Sequence, residues 1–224
     1  MTVGNSQAAD SSWAKKYFSH EGTQKILAAV KAAERKTRGD IVPMVVHRSA
    51  NLSNVSPTLF LLFFVLVLLI GTKPIIEEYE ISFFLFSFCS ALVSLTLSLL
   101  LARWEFIQRL VIPGSLLNHE VHTRAELEFY RNHFDQTKSH GAVLIFVSLL
   151  ERRVVVLCDE FLAKKIPQER WDSVSELIST HMKQNELVNG MIQAIEKTGQ
   201  FLAEVLPGDG TQLNEISTDF CIKE

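Results

Sequence analysis

The sequence predicts an α/β protein with a small central sheet flanked by helices, interrupted by a two-helix transmembrane hairpin. Two observations support this class. Between residues 55 and 104, two long apolar segments follow each other with almost no charge. The rest of the chain is charged, and segments with helical periodicity alternate there with short apolar runs typical of buried strands. A mixed order of helices and strands is typical of a layered α/β domain.

The two apolar segments are each close to the length of a bilayer span. The first extends from Val55 to Thr72 if Ser56–Thr58 lie at the interface, and the second, Ile81–Ala102, contains no charged residue. A span needs about 20 apolar residues. We expect the connection Lys73–Glu80 to be a short turn, so that the two helices are antiparallel neighbours. The alternatives are a single span, a re-entrant loop or two buried helices of a soluble protein. A chain of this size is too small to bury two helices that are apolar on all sides.

The charges beside these segments predict their orientation. Basic residues flank the outer ends and acidic residues lie in the connection: Arg48, Arg103 and Arg109 against Glu77, Glu78 and Glu80. Because the basic side of a membrane protein faces the cytoplasm, we expect both termini and the soluble domain to be cytoplasmic. The N-terminal residues also lack the apolar core of a signal peptide.

The remaining elements predict one soluble domain in two parts. Ser19 or Thr23 can cap the first helix, and Gly39 is a natural residue for its end. In order, we expect helix 19–38, strand 40–47, a membrane-surface helix 105–117, helix 122–138, strands 142–148 and 153–158 joined by a tight turn, and helices 168–183 and 186–205. Pro43 favours an edge or a bulge for the first strand.

Neither part has enough strands for a stable sheet of its own. We therefore expect the first strand to join the later strand pair, which makes the hairpin an insertion in one domain. The predicted organisation is 12–50 and 121–206 for the two parts of the α/β domain, 55–104 for the hairpin, 105–120 for a membrane-proximal connection, and 207–224 for a flexible tail.

Composition and motifs exclude several functions. The net charge of −3 argues against a general nucleic-acid binder. Cys89, Cys158 and Cys221 form no CxxC pair, so we expect three free thiols. The chain contains no Walker A motif, no dinucleotide-binding loop, no HExxH and no readable catalytic triad.

Three stretches resemble the TPM domain family, named from a thylakoid-lumen phosphatase-like protein, a photosystem repair protein and a modulator of an acetylcholine receptor. They are the helix-turn-strand 32–46 (AAERKTRGDIVPMVV), the strand pair 141–155 (GAVLIFVSLLERRVV, ending in Val155) and the closing helices 174–202. The resemblance looks closest to a bacterial membrane-protein branch with an inserted hairpin. It implies an α/β sandwich with a small sheet, and a location in the bacterial inner membrane.

The chain departs from the family at two places. Glu151 stands where the family commonly has Asp, and the stretch Cys158–Leu162 lacks both glycines of the family's Gly-x-Gly-Leu. A function that needs close backbone approach after the second strand is therefore in question.

Four acids near the ends of the predicted strands are candidate metal ligands: Asp159, Glu160, Glu151 and Asp40. Carboxylates at a sheet edge can hold calcium or magnesium, which prefer oxygen ligands, and the resemblance also implies calcium. Since the strand pair is antiparallel, Glu151 and Asp159 should lie at opposite ends of it, so Asp159 and Glu160 are the better pair. The structural alternative is that Asp159 caps a short helix and Glu151 is a solvated turn residue.

Two functions remain. The first is a membrane-anchored interaction, assembly or accessory module, with the lipid bilayer and a membrane-protein partner or a second copy as its partners. The second is a metal-dependent acid phosphatase, in which Arg152 and Arg153 could receive phosphate, although solvated turn charges are the better explanation for them. A groove beside Trp171 with an acid pair would favour the enzyme.

Overall fold

The computed structural model describes residues 12–49, 55–79, 82–104, 114–136, 140–208 and 221–223. The chain divides into two compact units, one made of Met1–Ser49 with Asn118–Glu224 and the other of Ala50–Leu117. In chain order, the helices and strands are α1 (Ser12–Tyr17), α2 (His20–Glu34), β1 (Asp40–Val46), α3 (Val55–Tyr79), α4 (Phe83–Leu101), α5 (Gly114–Arg131), a 3₁₀ turn (Phe134–Gln136), β2 (Ala142–Ser148), β3 (Arg153–Cys158), α6 (Glu160–Lys165), α7 (Gln168–Lys183), α8 (Leu187–Val205) and β4 (Cys221–Lys223).

The first unit is built on a mixed four-stranded sheet with the strand order β3-β2-β1-β4. β1 pairs in parallel with both β2 and β4, whereas β2 and β3 are antiparallel. The α/β class is therefore confirmed, and so is the expectation that the first strand joins the later strand pair across the inserted segment.

Helices cover both faces of this sheet. On one face, alternate strand residues such as Ile41 and Ile145 join a core with Ile26 of α2, Trp171 of α7 and Ile195 of α8. The other face packs against α5 and the 3₁₀ turn. The contacts there come from Val42, Met44, Leu144, Phe146, Val121, Ala125, Phe129 and Phe134. Burial on both faces explains why β1 and β2 are apolar at nearly every position.

Pro43 lies in β1, which has neighbours on both sides, although the sequence favours an edge or a bulge for it. The Asp40 N–H donates to the Gly141 carbonyl at the β2 side, at 3.1 Å. Successive residues of a strand direct their backbone groups to opposite sides, so Pro43 faces away from β2. On that side β4 pairs only with Met44–Val46. The missing N–H of Pro43 therefore costs no hydrogen bond in the ladder between β1 and β2.

The expectation of a flexible tail over 207–224 is wrong for residues 221–223, which form β4 beside β1. The His47 N–H donates to the Lys223 carbonyl at 3.3 Å, and Ile222 is buried with Ala14. The Lys223 ammonium lies 2.6 Å from a carboxylate oxygen of Glu128, whose side chain is 1% exposed. A three-residue strand has no pattern of its own, so these distant contacts decide its structure.

The first long helix ends earlier than the sequence suggests. Ser19 caps α2, as expected, because its hydroxyl accepts a hydrogen bond from the Gly22 N–H at 3.0 Å. However, α2 ends at Glu34, so Gly39 is not the residue that terminates it. Gly39 instead permits close contact between two backbones, since a Cβ there would lie 2.8 Å from the Gly141 carbonyl oxygen.

Two predictions near α5 have different outcomes. The helix predicted over 122–138 begins earlier, at Gly114, and ends at Arg131. The membrane-surface helix predicted over 105–117 falls largely outside the described residues.

In the described part of the second unit, α3 and α4 pack against each other. The predicted connection Lys73–Glu80 is wrong as a turn, since α3 continues to Tyr79 and carries Glu77 and Glu78 within the helix. Among the described helices, α4 is long and apolar enough to cross a membrane, whereas the apolar stretch of α3, Ser56–Ile70, is shorter. By length and composition, therefore, α4 could span a membrane, whereas α3 does not clearly meet the same criteria.

Candidate functional site

The carboxyl ends of β1 and β2 carry a compact polar cluster, which we call the serine–glutamate cluster: Ser49, Ser148 and Glu151. One carboxylate oxygen of Glu151 accepts hydrogen bonds from the Ser148 hydroxyl and from the Ser49 N–H, the latter at 3.2 Å. The Ser49 hydroxyl donates to the Ser148 hydroxyl at 2.9 Å. Ligands of open α/β sheets bind outside the carboxyl ends of the strands, so the cluster has the expected position for a site.

Burial shows what this cluster does in the described structure. Ser148 is fully buried and Glu151 is 7% exposed, so the reading of Glu151 as a solvated turn residue is wrong. A buried carboxylate requires hydrogen-bond donors, and the two serines supply them. The cluster therefore fixes the β2–β3 turn to Ser49, where the chain leaves β1 toward the second unit.

The sequence reasoning missed both serines. Ser49 lies about a hundred positions from its partners, with separations of 102 and 99 residues from Glu151 and Ser148. The usable signal was that each serine ends or follows one of two parallel strands, whose carboxyl ends meet at one sheet edge.

A stacked pair of aromatic rings lies at the same ends of the strands. The His47 and Trp13 rings have centroids 5.1 Å apart at an angle of 29°. The buried Nδ1 of His47 and Nε1 of Trp13 have no hydrogen-bond partner among the described atoms. The pair packs α1 against the end of β1.

The opposite end of the sheet holds Asp40 and Asp159. Asp40 is in register with Ala142, and the Asp159 N–H donates to the Ala142 carbonyl at 3.1 Å, so the two acids flank β2 at its amino end. Asp159 also caps α6, because one of its carboxylate oxygens accepts from the Phe161 N–H at 3.0 Å. Its other oxygen lies 3.6 Å from Nδ1 of His140.

Glu160 is separate from these buried acids. Its carboxylate is 82% exposed and lies 2.6 Å from the Lys164 ammonium on the same helix. That hydrogen bond and charge hold the pKa of Glu160 below its usual range. Glu160 is therefore a surface residue of α6 rather than a partner of Asp159 in a pocket.

The four predicted metal ligands thus divide between two ends of the sheet. Glu151 lies at the β2–β3 turn, whereas Asp40 and Asp159 lie at the far end, as the antiparallel register requires. Within the described part of the chain, no three side chains of His, Cys, Asp or Glu are placed to hold a metal ion together. Calcium takes six to eight oxygen ligands, so these four acids do not fit one such ion.

The nearby Cys158 thiol is only partly exposed, and the two nearby guanidinium groups are at the surface. Burial, and secondly the charge of Asp159, raises the pKa of the Cys158 thiol to about 11, which leaves it protonated and unreactive at neutral pH. Arg152 is exposed and has a positive φ of 52°, as a turn residue before β3. Arg153 is exposed at the start of β3.

A pocket of about 470 Å³ lies where α1 ends and α7 turns into α8. None of the predicted site residues lines it. Its walls are Tyr17, Met182, Asn185, Glu186, Leu187, Val188 and Asn189. The groove that could favour an enzyme is not beside Trp171, because that side chain is 1% exposed and lies in the core against Phe201.

Comparison with known proteins supports the fold. No protein-family model matches the chain, and no curated protein matches it. The NMR structure of the BA42 protein from the psychrophilic bacterium Bizionia argentinensis is similar, with a TM-score of 0.58 and 17% sequence identity. The similarity covers 92% of this chain and 96% of that one. At this identity the likeness shows a shared fold alone.

Proposed function

We propose that this protein is a membrane-anchored α/β module of the TPM type, in which the α3–α4 hairpin holds the domain at a bilayer where it docks on a membrane-associated partner. The observation that carries the anchor is an inverted polarity in α4. Its buried stripe is Phe86, Ser90, Ser94 and Ser98. Its exposed residues are large and apolar, and Phe84 is 84% exposed.

This polarity is opposite to that of a helix in a soluble protein, which buries apolar residues and exposes polar ones. The α4 window that is apolar enough to cross a membrane is only 17% buried, so α4 is not the core helix of a soluble unit. In a bilayer, small residues at the helix contact allow close packing and large apolar residues face the lipid tails. The described exposure follows this second pattern.

Three hydroxyl groups of α4 are also compatible with an apolar solvent, whereas the buried Ser94 hydroxyl has no hydrogen-bond partner among the described atoms. The Ser90 hydroxyl donates to the Ser87 carbonyl at 2.8 Å, and the Ser98 hydroxyl to the Leu95 carbonyl at 2.9 Å. Thr96, which is exposed, donates to the Leu92 and Val93 carbonyls. Because bonds to the helix backbone satisfy these donors, lipid around the helix would leave them without a desolvation cost.

The second span and the orientation belong to the same proposal. The exposed face of α3 is apolar too, with Leu69 at 75% and Ile70 at 66% exposure. The basic residues outside the hairpin support a cytoplasmic position for both termini and for the α/β unit. The resemblance to the bacterial branch of the family supports the inner membrane as the location.

The chemistry of the described site residues is the reason why we rank a docking role above phosphatase activity. Glu151, Asp159 and Glu160 each bond to neighbouring groups of the fold: serines, a helix N-terminus and a lysine, respectively. These contacts stabilise structure and do not converge on a substrate. The phosphatase alternative requires a metal, and micromolar calcium or magnesium binding that Asp159→Asn abolishes, measured by calorimetry, would favour it instead.

The anchor is tested by a charge placed on the exposed face of α4. Leu92 lies at the centre of α4 and is 49% exposed, and Leu127 of α5 is 50% exposed in the other unit. An arginine at the centre of a spanning helix costs about 2.5–3.5 kcal/mol of insertion free energy. We expect Leu92→Arg to reduce the fraction of full-length protein that resists carbonate extraction from membranes, and Leu127→Arg to leave it unchanged.

A protein that carbonate releases from membranes, or a Leu92→Arg variant that is retained like the wild type, would refute the anchor. Reporter fusions at each end of the full chain test the orientation separately, and activity of a periplasmic reporter at either end would overturn it.

A further inference from the structure

β3 is an edge strand of the sheet that the described residues form. It pairs with β2 only, and no other described strand or bridge lies against it. After the exposed Arg153, all five residues from Val154 to Cys158 are half-buried, on both faces of the strand. Unpaired edges of this length and apolar character are templates for another strand.

The register shows which backbone groups face outward. The Asp159 N–H donates to the Ala142 carbonyl of β2, and the direction alternates with each residue of an antiparallel strand. Arg153, Val155 and Leu157 therefore bond toward β2. The N–H and C=O groups of Val154, Val156 and Cys158 point away from the sheet.

The other edge of the sheet is protected in a way that β3 is not. β4 has three residues and includes Lys223, and short strands with lysine are common protection against edge pairing. β3 has six residues, and its only charged residue, Arg153, is at its first position.

We infer that two copies of this protein pair antiparallel through β3, with Val156 opposite Val156 of the second copy. The sequence around β3 is self-complementary in charge: Arg152 and Arg153 precede the apolar run, and Asp159 and Glu160 follow it. In this register Arg152 of each copy lies opposite the exposed Glu160 of the other, whereas the Asp159 carboxylate is buried in its own copy. The outward groups of Val154 pair with those of Cys158, so all outward positions find a partner.

Charge selects this register from its neighbour. In a two-fold antiparallel pair, one residue lies opposite the same residue of the second copy. The backbone groups that point away from β2 can pair only with the corresponding groups of the other copy. With Val155 opposite itself, Arg153 would lie opposite Leu157 of the second copy, and no opposite charge would face it. With Val156 opposite itself, Arg152 of one copy meets the exposed Glu160 of the other at both ends of the strand pair.

This inference does not depend on the membrane proposal, because it concerns the first unit only. The mass of the full-length protein in detergent, from light scattering, should correspond to a dimer. A wild-type protein that is monomeric at the highest concentration measured would overturn the pairing and leave the carbonate experiment unaffected.

Proline substitution tests the edge without breaking the sheet. Val156→Pro removes an outward N–H and no bond to β2, which edge strands tolerate, and both copies lose a donor at the two-fold axis. We expect the dissociation constant of the dimer to rise about tenfold or more, with an unchanged circular dichroism spectrum. Val156→Lys, which needs no proline geometry, should act in the same direction. A dimer that survives both variants would refute pairing through β3.

Cross-linking tests the register. In a chain whose three native cysteines are replaced by serine, Val156→Cys places two thiols on opposed Cα atoms about 5.5 Å apart, within the range for a disulfide. Mild oxidation should yield a covalent dimer. Leu127→Cys in the same background controls for random collision, and equal cross-linking of the two variants would overturn the register.

Discussion

The ion pair between Lys223 and Glu128 should hold the C-terminal strand against the sheet, and Lys223→Met tests this directly. The Lys223 ammonium lies 2.6 Å from the Glu128 carboxylate, and the two side chains are 20% and 1% exposed. Removal of one partner of a buried pair costs about 3–5 kcal/mol. Here Arg124, at 3.3 Å, and the Asn132 amide still contact Glu128.

With these two partners retained, we expect a loss of about 2 kcal/mol in the free energy of unfolding. For a domain of this size, that corresponds to a melting temperature lower by about 4–8 °C. Tryptophan fluorescence reports the transition, because Trp13 packs against the small cluster that contains Ile222. Hydrogen exchange at the His47 amide, which donates to the Lys223 carbonyl, reports whether β4 has left β1.

Lys164→Met is the matched control. Its ammonium lies at the same distance, 2.6 Å, from Glu160, but the two side chains are 71% and 82% exposed. An exposed pair contributes little, so we expect no measurable change in melting temperature. Equal melting temperatures for Lys223→Met and Lys164→Met, with wild-type exchange at the His47 amide, would refute the reasoning. The buried pair would then not hold β4 against the sheet.

Three further outcomes follow from the described packing. Burial raises the pKa of Glu128, but Lys223 and Arg124 outweigh burial and the net pKa is lowered. The contribution of Glu128 to the free energy of unfolding is therefore full above about pH 4.5 and is lost as the pH falls further. The free energies of unfolding of the wild type and Glu128→Gln, measured in urea, should converge in acid. Gly141→Ala should destabilise the protein by about 1–3 kcal/mol, measured by the same unfolding, because its Cβ would lie 2.9 Å from the Gly39 Cα. Cys158 has a pKa of about 11, so at pH 8 it should react with iodoacetamide at least about 100-fold more slowly in the folded protein than in the unfolded protein. Mass spectrometry measures both rates.

Local signals were sufficient for most of the regular elements. α7 is Gln168–Lys183, as its periodicity predicts, and α8 begins one residue after the predicted start. β2 and β3 have the predicted bounds, because a tight turn with Arg152 in the left-handed region separates two apolar runs. These elements depend on spacing within a few residues, which a single sequence displays.

Other features depend on contacts that no short window contains. β4 is a strand because Lys223 meets Glu128, 95 residues away. The polar cluster could be predicted only in part, since Glu151 is recognisable at the turn but its donors Ser49 and Ser148 are not. The acids were correctly divided between two strand ends, whereas their solvent exposure depended on neighbours that the sequence did not identify.

The topology explains how a hairpin can interrupt this domain without disturbing its sheet. β1 and β2 are parallel neighbours in register from Asp40 with Ala142 to Val46 with Ser148, so the chain between them must return from one end of the sheet to the other. α5 makes that return and packs on the sheet through Val121, Ala125 and Phe129.

The segment 50–117 is therefore not needed for the crossover. It attaches to the α/β unit by two connections, after Ser49 and before Asn118, and the first is fixed by the bond from Ser49 to Glu151. β1 precedes this segment and β2 follows it, so the two strands can pair only if both ends of the proposed anchor connect to the α/β unit. An anchor at one end of a chain would not impose this constraint.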